Sequence, residues 1–541
     1  MKYKNPILRG MYPDPSICRA GDDFYIVNST FEFFPAVPVS HSRDLINWEQ
    51  IGHCITRPDQ LGLVPCDRQS ASGIYAPSIR YKDGIFYMVT TNMVPADGDA
   101  GNFYVWTKDP AGEWSDPVFL ESPGIDPSFF FDDDGKDYYV GTGNHKIYLS
   151  EIDFESGKLV GEVSVLWEGT GGAYPEGPHI FKKDGWYYLM ISEGGTERSH
   201  MITMARSREL RSGYEVCPNN PVLTNRSLLR PIESVGHADL VEDKNGNWWA
   251  VCLGTRTFSY PPKHNLGRET MLIPVDWSGD WPVFGLNGNL DVEYDTDKLP
   301  TGNEQNTAPI YYVCGNVSRD DVSRDNVSRD DVSRDNVSRD DVSQGSFTDL
   351  CWNYLYNPIA EQYEISDDCV KMWGNECNMY DRANYAWYGI RQRDHVTRAK
   401  VTMHFPTIKD GEEAGFTVFM NHKHHYAAAL IQENGKHKVI FYRRIGSLCA
   451  REYEAEVESD TITFEIESDK EWYTFYYTIE GENASGERIK LGRGETVYLT
   501  TEVGGSFTGN YYAMFAMGNG SKSETAAEFN NFSYVEDMLQ K

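Results

Sequence analysis

One phrase recurs five times in the first half of the chain, and it constrains the fold more than any other feature. Each copy begins with a polar or small residue, continues as a short apolar run and an Asp/Gly-rich turn, and ends in an aromatic-rich run. Two β-rich runs joined by a Gly-containing turn predict a hairpin. The copies start at Asp14, Ala76, Asp126, Gly177 and His237, with spacings of 62, 50, 51 and 60 residues. This period is typical of four-stranded blades, so the sequence predicts a five-bladed β-propeller.

The register of the phrase brings acidic residues together. Propeller blades are related by rotation, so equivalent positions lie at one height around the central channel. Asp14, Asp126 and His237 share the first position of the phrase, and Glu176 lies one residue before that position in its copy, between Pro and Gly. Because neighbouring acids repel one another, this arrangement favours a catalytic site over the alternatives, a structural cluster or a metal site.

The sequence after the predicted propeller differs in composition and in its pattern of strands. The sequence predicts a propeller over residues 1–300, a linker over 301–345 that contains a pentapeptide repeat at 316–343, and a β-sandwich over 346–541. One Val per five residues cannot bury a core, so the repeat is expected to be disordered or loosely extended. Short alternating strands and almost no helical periodicity predict an all-β second domain of concanavalin- or jelly-roll-like type.

The composition of the chain excludes some classes of binding partner and predicts its cellular location. The formal net charge of −31 repels nucleic acid and anionic membranes, whereas a neutral oligosaccharide is compatible with it. The ten cysteines include no C-x-x-C pair, as expected for reduced thiols. No apolar signal-peptide segment precedes Asp14, and no apolar run reaches the ~20 residues of a membrane span. We therefore expect a cytoplasmic protein with no nucleic-acid or membrane partner; homo-oligomer formation is left open.

The motifs around Asp14, Asp126 and Glu176, in this order and spacing, resemble those of family 43 glycoside hydrolases. The stretch at residues 29–35 and the C-terminal sandwich are similar to those of the β-xylosidase and α-L-arabinofuranosidase branch of that family. The resemblance implies an inverting, single-displacement mechanism. Asp14 would be the general base, Glu176 the general acid, and Asp126 the residue that tunes and orients the acid. Inversion requires carboxyl groups ~6.5–9.5 Å apart.

The resemblance also implies substrate-binding residues. Phe31 matches an aromatic residue of the non-reducing-end subsite, Tyr75 falls where relatives often carry Trp, and Arg268 matches a pocket arginine. His237 matches a central histidine that in some members helps to hold a metal ion and in others only hydrogen-bonds. No cofactor is therefore expected to be required and no metal ligand is assigned, although a single cation near His237 is left open. Phe507 matches a sandwich loop that reaches over the pocket and closes it.

These features predict an exo-acting hydrolase that releases terminal xylose from β-1,4-xylo-oligosaccharides. An α-L-arabinofuranosidase acting on arabinoxylan or arabinan side chains is the alternative, and one enzyme with both activities is a third reading. Two other classes fit less well. A non-catalytic sugar-binding propeller would be expected to lack one of the three acids, and an endo-acting arabinanase or a fructan-active enzyme would need an open groove.

Overall fold

The computed structural model describes residues 1–66, 72–95, 99–308, 310–315, 342–481 and 486–536. The chain forms two compact units, Met1–Phe258 with Gly267–Asn306, and Ser259–Leu266 with Thr307–Lys541. The segment Ser259–Leu266 belongs to the second unit although it lies inside the range predicted for the first domain. Within that second unit, Asn265 Nδ2 donates to the Tyr473 hydroxyl at 2.7 Å.

Within the described residues, the first unit contains five antiparallel sheets of four or five strands and one two-stranded antiparallel sheet. Its strands in chain order are β1 (Lys2–Lys4), β2 (Ser16–Ala20), β3 (Asp23–Val27), β4 (Phe33–Phe34), β5 (Ala36–Ser42), β6 (Glu49–Ile55), β7 (Gly73–Ile74), β8 (Ser78–Lys82), β9 (Ile85–Met93), β10 (Gly101–Thr107), β11 (Val118–Leu120), β12 (Ile125–Phe131), β13 (Asp137–Gly143), β14 (Lys146–Asp153), β15 (Lys158–Trp167), β16 (Glu176–Lys183), β17 (Trp186–Glu193), β18 (Met201–Ser207), β19 (Glu215–Val216), β20 (Ile232–Glu242), β21 (Trp248–Arg256), β22 (Glu269–Asp276), β23 (Val283–Phe284) and β24 (Glu293–Asp295). The sheet orders are β2-β3-β5-β6, β8-β9-β10-β11 with β7 also on β9, β12-β13-β14-β15, β16-β17-β18-β19 and β20-β21-β22-β23.

The first strand of each of the five larger sheets is the apolar run of the repeated phrase, and the second strand is its aromatic run. These first strands contact one another in a closed ring: β2 contacts β8, β8 contacts β12, β12 contacts β16, β16 contacts β20, and β20 contacts β2. The predicted five-bladed propeller is therefore confirmed. The ring explains why the start of the phrase matters, because it brings the same position of each copy to one end of the channel.

Local turn chemistry fixes the hairpins. The turns of the second and fourth blades are Asp83-Gly84 and Asp184-Gly185, and all four residues have positive φ between 50° and 84°. A two-residue turn of this kind needs left-handed backbone at both positions, which Gly adopts without strain and Asp tolerates.

A buried polar network ties the blades together beneath the phrase's first position. Asp239 of β20 is completely buried and accepts hydrogen bonds from Arg80 Nη1 at 2.7 Å and from the Ser16 hydroxyl at 2.6 Å. Arg80 Nη2 lies 2.8 Å from His179 Nδ1. Side chains from four different blades thus meet in one cluster. Arg80 compensates the negative charge of the buried Asp239 carboxylate, which would be costly to bury alone.

The second unit is a β-sandwich. Its strands are β25 (Tyr311–Cys314), β26 (Val342–Gln344), β27 (Trp352–Leu355), β28 (Tyr363–Ile365), β29 (Val370–Met372), β30 (Ala386–Arg391), β31 (Thr397–His404), β32 (Glu413–Asn421), β33 (His424–Glu433), β34 (Lys436–Ile445), β35 (Leu448–Val457), β36 (Thr461–Ser468), β37 (Trp472–Ile479), β38 (Ile489–Glu495), β39 (Tyr511–Met517) and β40 (Ala527–Glu536). The described helices are the 3-10 turns Ala360–Gln362 and Thr496–Leu499 and the short α1 (Thr501–Gly504).

Two sheets of this unit enclose one apolar core. One sheet has the order β26-β25-β40-β31-β36-β37-β38, with β29 on β40 and β28 on β29; the other has β35-β34-β33-β32-β39-β30-β27. Burial alternates residue by residue along β31, as expected for a strand with one face on a core. Side chains of both sheets join that core, among them Val401, Phe464, Phe416 and Tyr512. The predicted sandwich is confirmed.

The pentapeptide repeat falls mostly outside the described residues. The prediction of a disordered or loosely extended segment therefore stays a prediction for 316–341. Its last residues behave differently, because Val342 and Ser343 belong to β26, which pairs in parallel with β25. Within the described ranges, no helix is long and apolar enough to cross a membrane.

Candidate active site

The candidate catalytic residues lie where the inner strands begin, in an unusual backbone conformation. Asp14, Asp126, Gly177 and His237 occupy equivalent positions of four blades and have φ of 50°, 55°, 56° and 47°. Left-handed backbone at a non-glycine residue stores on the order of 1–3 kcal/mol and clusters at functional sites. The strand register also shifts beside Asp126, Glu176 and His237. Such bulges re-aim side chains, here at the start of each inner strand.

Arg268 binds the Asp14 carboxylate and forms the Asp14 clamp with it. Arg268 Nη1 donates to Asp14 Oδ1 at 2.7 Å, and Arg268 Nη2 donates to Oδ2 at 3.1 Å. The Ser29 hydroxyl donates to the same Oδ2. Both members of the ion pair are buried, with 4% and 7% exposure. A bidentate guanidinium fixes the plane of a carboxylate as well as its charge, so Asp14 has one defined orientation.

A second cluster holds the other two acids. One oxygen of Asp126, one of Glu176 and one ring nitrogen of His237 lie within 4.8 Å of one another. Burial, and then the charges of Glu176 and Asp14, raise the pKa of Asp126 well above its usual range. An Asp with a raised pKa keeps its proton at a pH where an isolated carboxyl has lost it. The cluster can therefore supply a proton.

The segment that carries Glu176 packs closely against its neighbours on two sides. A Cβ on Gly177 would lie 2.9 Å from Cε1 of His237, so only glycine lets the chain pass that ring. The backbone N–H of His237 donates to the Ser192 hydroxyl at 2.8 Å, and Ser192 is the ladder partner of Glu176. On its other side, Nε2 of the fully buried His200 lies 3.4 Å from Glu176 Oε1. The Glu176 carboxylate in the Pro-Glu-Gly-Pro segment thus lies between the imidazole rings of His237 and His200.

The loop that leads to Glu176 is tied to a buried carboxylate. Glu193 has no solvent exposure, and it accepts hydrogen bonds from the backbone N–H groups of Thr170 and Gly172 and from the Thr203 hydroxyl. The N–H of Gly194 closes the loop by donating to the Ala173 carbonyl at 2.6 Å. The Glu193 carboxylate therefore fixes the conformation of the loop that leads to Glu176.

Two aromatic side chains stand beside the Asp14 clamp. The Arg268 guanidinium carbon lies 5.4 Å from the centre of the Phe31 ring, and the Phe31 and Tyr75 rings meet edge to face at 5.5 Å. Phe31 is only 2% exposed, so most of its ring contacts protein. Tyr75 is half-buried and adds the more open surface. Phe507 belongs to the second unit, and its place over the pocket stays a prediction.

A cation beside His237 would have to use the atoms of the acid pair. Asp126, Glu176 and His237 would each give one ligand atom. Ca²⁺ and Mg²⁺ bind six or more oxygens in proteins, and an imidazole suits them poorly. Asp126 of this set is also the carboxyl group with the raised pKa. The three side chains therefore do not fit a resident cation and a proton donor together, and no step below uses a metal.

Several supporting residues could not be identified from the sequence. Ser29, Glu193 and His200 lie outside the first position of the phrase, and each reaches the site from a second or third strand of a blade or from the end of one. Ser29 does lie in the stretch that carries the family resemblance. For Glu193 and His200, no local signal separates them from other polar residues of strands and loops.

Comparison with known proteins agrees with this geometry. The model of glycosyl hydrolases family 43 matches residues 3–282, and the model of the beta xylosidase C-terminal concanavalin A-like domain matches residues 339–535. The first match covers the propeller with all three acids, and the second covers most of the sandwich.

Full-length relatives carry the same two parts. A xylosidase/arabinosidase of Butyrivibrio fibrisolvens is 37% identical over 98% of this chain and 99% of its own. A non-reducing end alpha-L-arabinofuranosidase of Bacteroides ovatus is 36% identical over 98% of this chain and 94% of its own. The crystal structure of a xylan beta-1,4-xylosidase from Bacillus halodurans has a TM-score of 0.83 at 28% identity and covers 99% of this chain and all of its own. The chain therefore belongs to family 43 of the glycosyl hydrolases and is a glycosidase.

Proposed function

We propose that this glycosidase is exo-acting and inverting, and that it releases terminal xylose from β-1,4-xylo-oligosaccharides. We propose further that the same site cleaves terminal α-L-arabinofuranosides. One observation carries the proposal. Asp14, which Arg268 clamps, and the neighbouring carboxyl groups of Glu176 and Asp126, of which Asp126 has a raised pKa, lie where inner strands begin at the same end of one channel. The activities for which the relatives are named, xylosidase and arabinosidase, support both substrates.

The chemistry divides between these two clusters. Asp14 takes a proton from a water molecule as the water oxygen attacks the anomeric carbon, and the bond from that carbon to the leaving oxygen breaks. Glu176 gives its proton to the leaving oxygen in the same step. Asp14 then carries a proton and Glu176 a negative charge, and exchange with solvent restores both. Because water attacks the face opposite the leaving group, the product has inverted configuration.

The remaining residues assist this step. Asp126 lies beside Glu176, and its raised pKa keeps a proton in this cluster before the reaction. His237 packs on Gly177 and limits the positions that the acid can take. Tyr75 offers an apolar surface for the terminal sugar, and the buried Phe31 ring packs against Tyr75 beside the clamp that holds the base.

The alternative is a dedicated α-L-arabinofuranosidase acting on arabinoxylan or arabinan side chains. The Bacteroides ovatus relative favours this reading, because it covers 98% of the chain at nearly the same identity as the xylosidase/arabinosidase. Both readings use the same three acids, so substrate preference separates them.

The test compares nitrophenyl β-xyloside, nitrophenyl α-L-arabinofuranoside and xylobiose as substrates, with product configuration followed by proton NMR. We expect hydrolysis of the β-xyloside and xylobiose, with α-xylose as the first product. Hydrolysis of the arabinofuranoside alone would establish the alternative. Release of β-xylose as the first product would exclude inversion, and internal cleavage of long xylan would exclude exo action.

A further inference from the structure

The loop between β17 and β18 of the fourth blade, residues 194–200, is fixed next to the acid at both of its ends. Glu193, the last residue of β17, binds the segment that leads to Glu176. His200, the last residue before β18, places its Nε2 3.4 Å from Glu176 Oε1. The two ends of this loop therefore have defined positions relative to the proposed general acid.

The middle of the same loop contacts the Asp14 clamp. The hydroxyl oxygen of Thr196 accepts a hydrogen bond from Arg268 Nη1 at 3.0 Å, and the same Nη1 donates to Asp14 Oδ1 at 2.7 Å. A terminal guanidinium nitrogen carries two hydrogen atoms, so Nη1 can use one for each partner. The guanidinium is thus held by the carboxylate that it orients and, independently, by the loop.

The backbone of the loop determines where Thr196 lies. Gly194 and Gly195 have φ of 95° and 82°, in the left-handed region that glycine adopts without strain. A Cβ on Gly194 would overlap the carbonyl oxygen of Ser199, where the chain turns back towards β18. Because the loop is anchored at both ends and folds back on itself, it presents Thr196 at one defined distance from its own blade.

We propose that Thr196 is a positioning residue for hydrolysis. Its hydroxyl holds the Arg268 guanidinium, and Arg268 in turn sets the position of the Asp14 carboxylate relative to Glu176. This inference rests on the proposed function, in which the two carboxyl groups act on opposite sides of the anomeric carbon with room for one water molecule. Since a small displacement of a reacting group slows a reaction strongly, a loop that contacts both groups controls the rate.

The experiment measures kcat, KM and melting temperature of full-length variants on the nitrophenyl glycoside that the parent cleaves fastest. Thr196→Val keeps the branched shape of the side chain and removes the hydroxyl. We expect kcat to fall about tenfold, with KM within about twofold of the parental value and an almost unchanged melting temperature. Thr196→Ser, which restores a hydroxyl, should recover most of the lost kcat.

Thr107→Val is the matched control. It removes a threonine hydroxyl of the second blade that donates to the carbonyl groups of Asp109 and Glu113. The loss of these part-buried hydrogen bonds should lower the melting temperature and leave kcat unchanged. The two valine variants therefore separate an effect on the reaction from an effect on stability.

A double variant tests whether Thr196 acts through Arg268. In the Arg268→Ala background, Thr196→Val should change kcat/KM by less than about twofold, because the side chain that it positions is absent. A further tenfold loss in that background would overturn the proposal. So would an unchanged kcat in the single variant, a rise in KM alone, which would assign Thr196 to the sugar, or a loss that Thr196→Ser does not recover.

The choice of substrate keeps this inference separate from the proposed function. The parent is first assayed on nitrophenyl glycosides of xylose, arabinofuranose, glucose, galactose and mannose. Cleavage of a sugar other than xylose or arabinofuranose would overturn the proposed substrates, whereas the same variants compared on that sugar would still decide the role of Thr196.

Discussion

Arg268 donates hydrogen bonds to both carboxylate oxygens of Asp14, through Nη1 at 2.7 Å and Nη2 at 3.1 Å. Asp14 precedes the inner strand of the first blade, and Arg268 precedes the third strand of the last, so the pair joins the two ends of the propeller. The family resemblance assigns Arg268 to the sugar-binding pocket, and that assignment stays a prediction. The contact also couples Arg268 directly to the carboxylate that is proposed to activate water.

This coupling predicts that Arg268 acts through Asp14. Arg268→Ala should lower kcat/KM on the order of 10²-fold, because small misplacement of a reacting group costs that much. Asp14→Ala should abolish hydrolysis of every substrate. The double variant should be no worse than Asp14→Ala alone when both are measured with added azide as an external nucleophile. A further large loss in the double variant would mean that Arg268 contributes separately, through the sugar.

The raised pKa of Asp126 predicts a pH-dependent gain in stability for Asp126→Asn. The folded-state pKa lies above the unfolded one, so the native protein loses stability as pH rises from the usual Asp range towards the folded pKa. Asn carries no such proton. The advantage of the variant should be near zero at low pH and should grow by about 1.4 kcal/mol per pH unit within that window. Urea unfolding at several pH values measures it, and a pH-independent difference would contradict the pairing of Asp126 with Glu176.

The blades were predictable because their signals are local. Asp83-Gly84 and Asp184-Gly185 specify their turns within a few residues, and the phrase repeats the same apolar and aromatic runs. The first position of the phrase then located Asp14 and Asp126 by symmetry. What could not be predicted depends on contacts between distant strands.

His200 illustrates that limit. It meets Glu176 only because β17 and β18 pair in one register, and its ring lies against Gly236, where a Cβ would come within 2.2 Å of Nδ1. Similarly, Ser259–Leu266 reads as a propeller loop and belongs to the other unit. Neither fact has a sequence signature, since each depends on the three-dimensional packing.

His200 is predicted to position the acid. His200→Phe keeps the ring that packs on Gly236 but removes the nitrogen that lies 3.4 Å from Glu176 Oε1. We expect kcat on xylobiose to fall on the order of tenfold, with KM and melting temperature nearly unchanged. His200→Gln, which can still offer an N–H, should recover part of the loss. A fall in melting temperature in proportion to the loss of kcat would assign His200 to structure alone.

The pentapeptide repeat is predicted to be dispensable, provided that β26 is kept. Residues 316–341 offer one Val per five residues and cannot supply a core, whereas Val342–Gln344 pair with β25. Replacing 316–341 by about fifteen Gly/Ser residues should leave kcat/KM and melting temperature nearly unchanged, since a parallel crossover of a dozen or more residues can still be closed. Deleting through residue 344 should lower the melting temperature. Equal losses in both variants would show that the repeat itself is structural.

Glu176 as the general acid predicts a dependence on the leaving group. Xylobiose leaves as a sugar alkoxide, which must be protonated, whereas nitrophenolate is stable without a proton. Glu176→Gln should therefore cost more on xylobiose than on nitrophenyl β-xyloside, by a ratio on the order of 10²–10⁴. The variant should also flatten the alkaline limb of the pH–rate profile, because that limb reports loss of the donated proton. Asp126→Asn should shift the limb and keep it, since Asp126 lies beside Glu176 and does not itself give the proton. Equal losses on both substrates, with the pH profile intact, would show that Glu176 binds substrate and that the proton comes from another group.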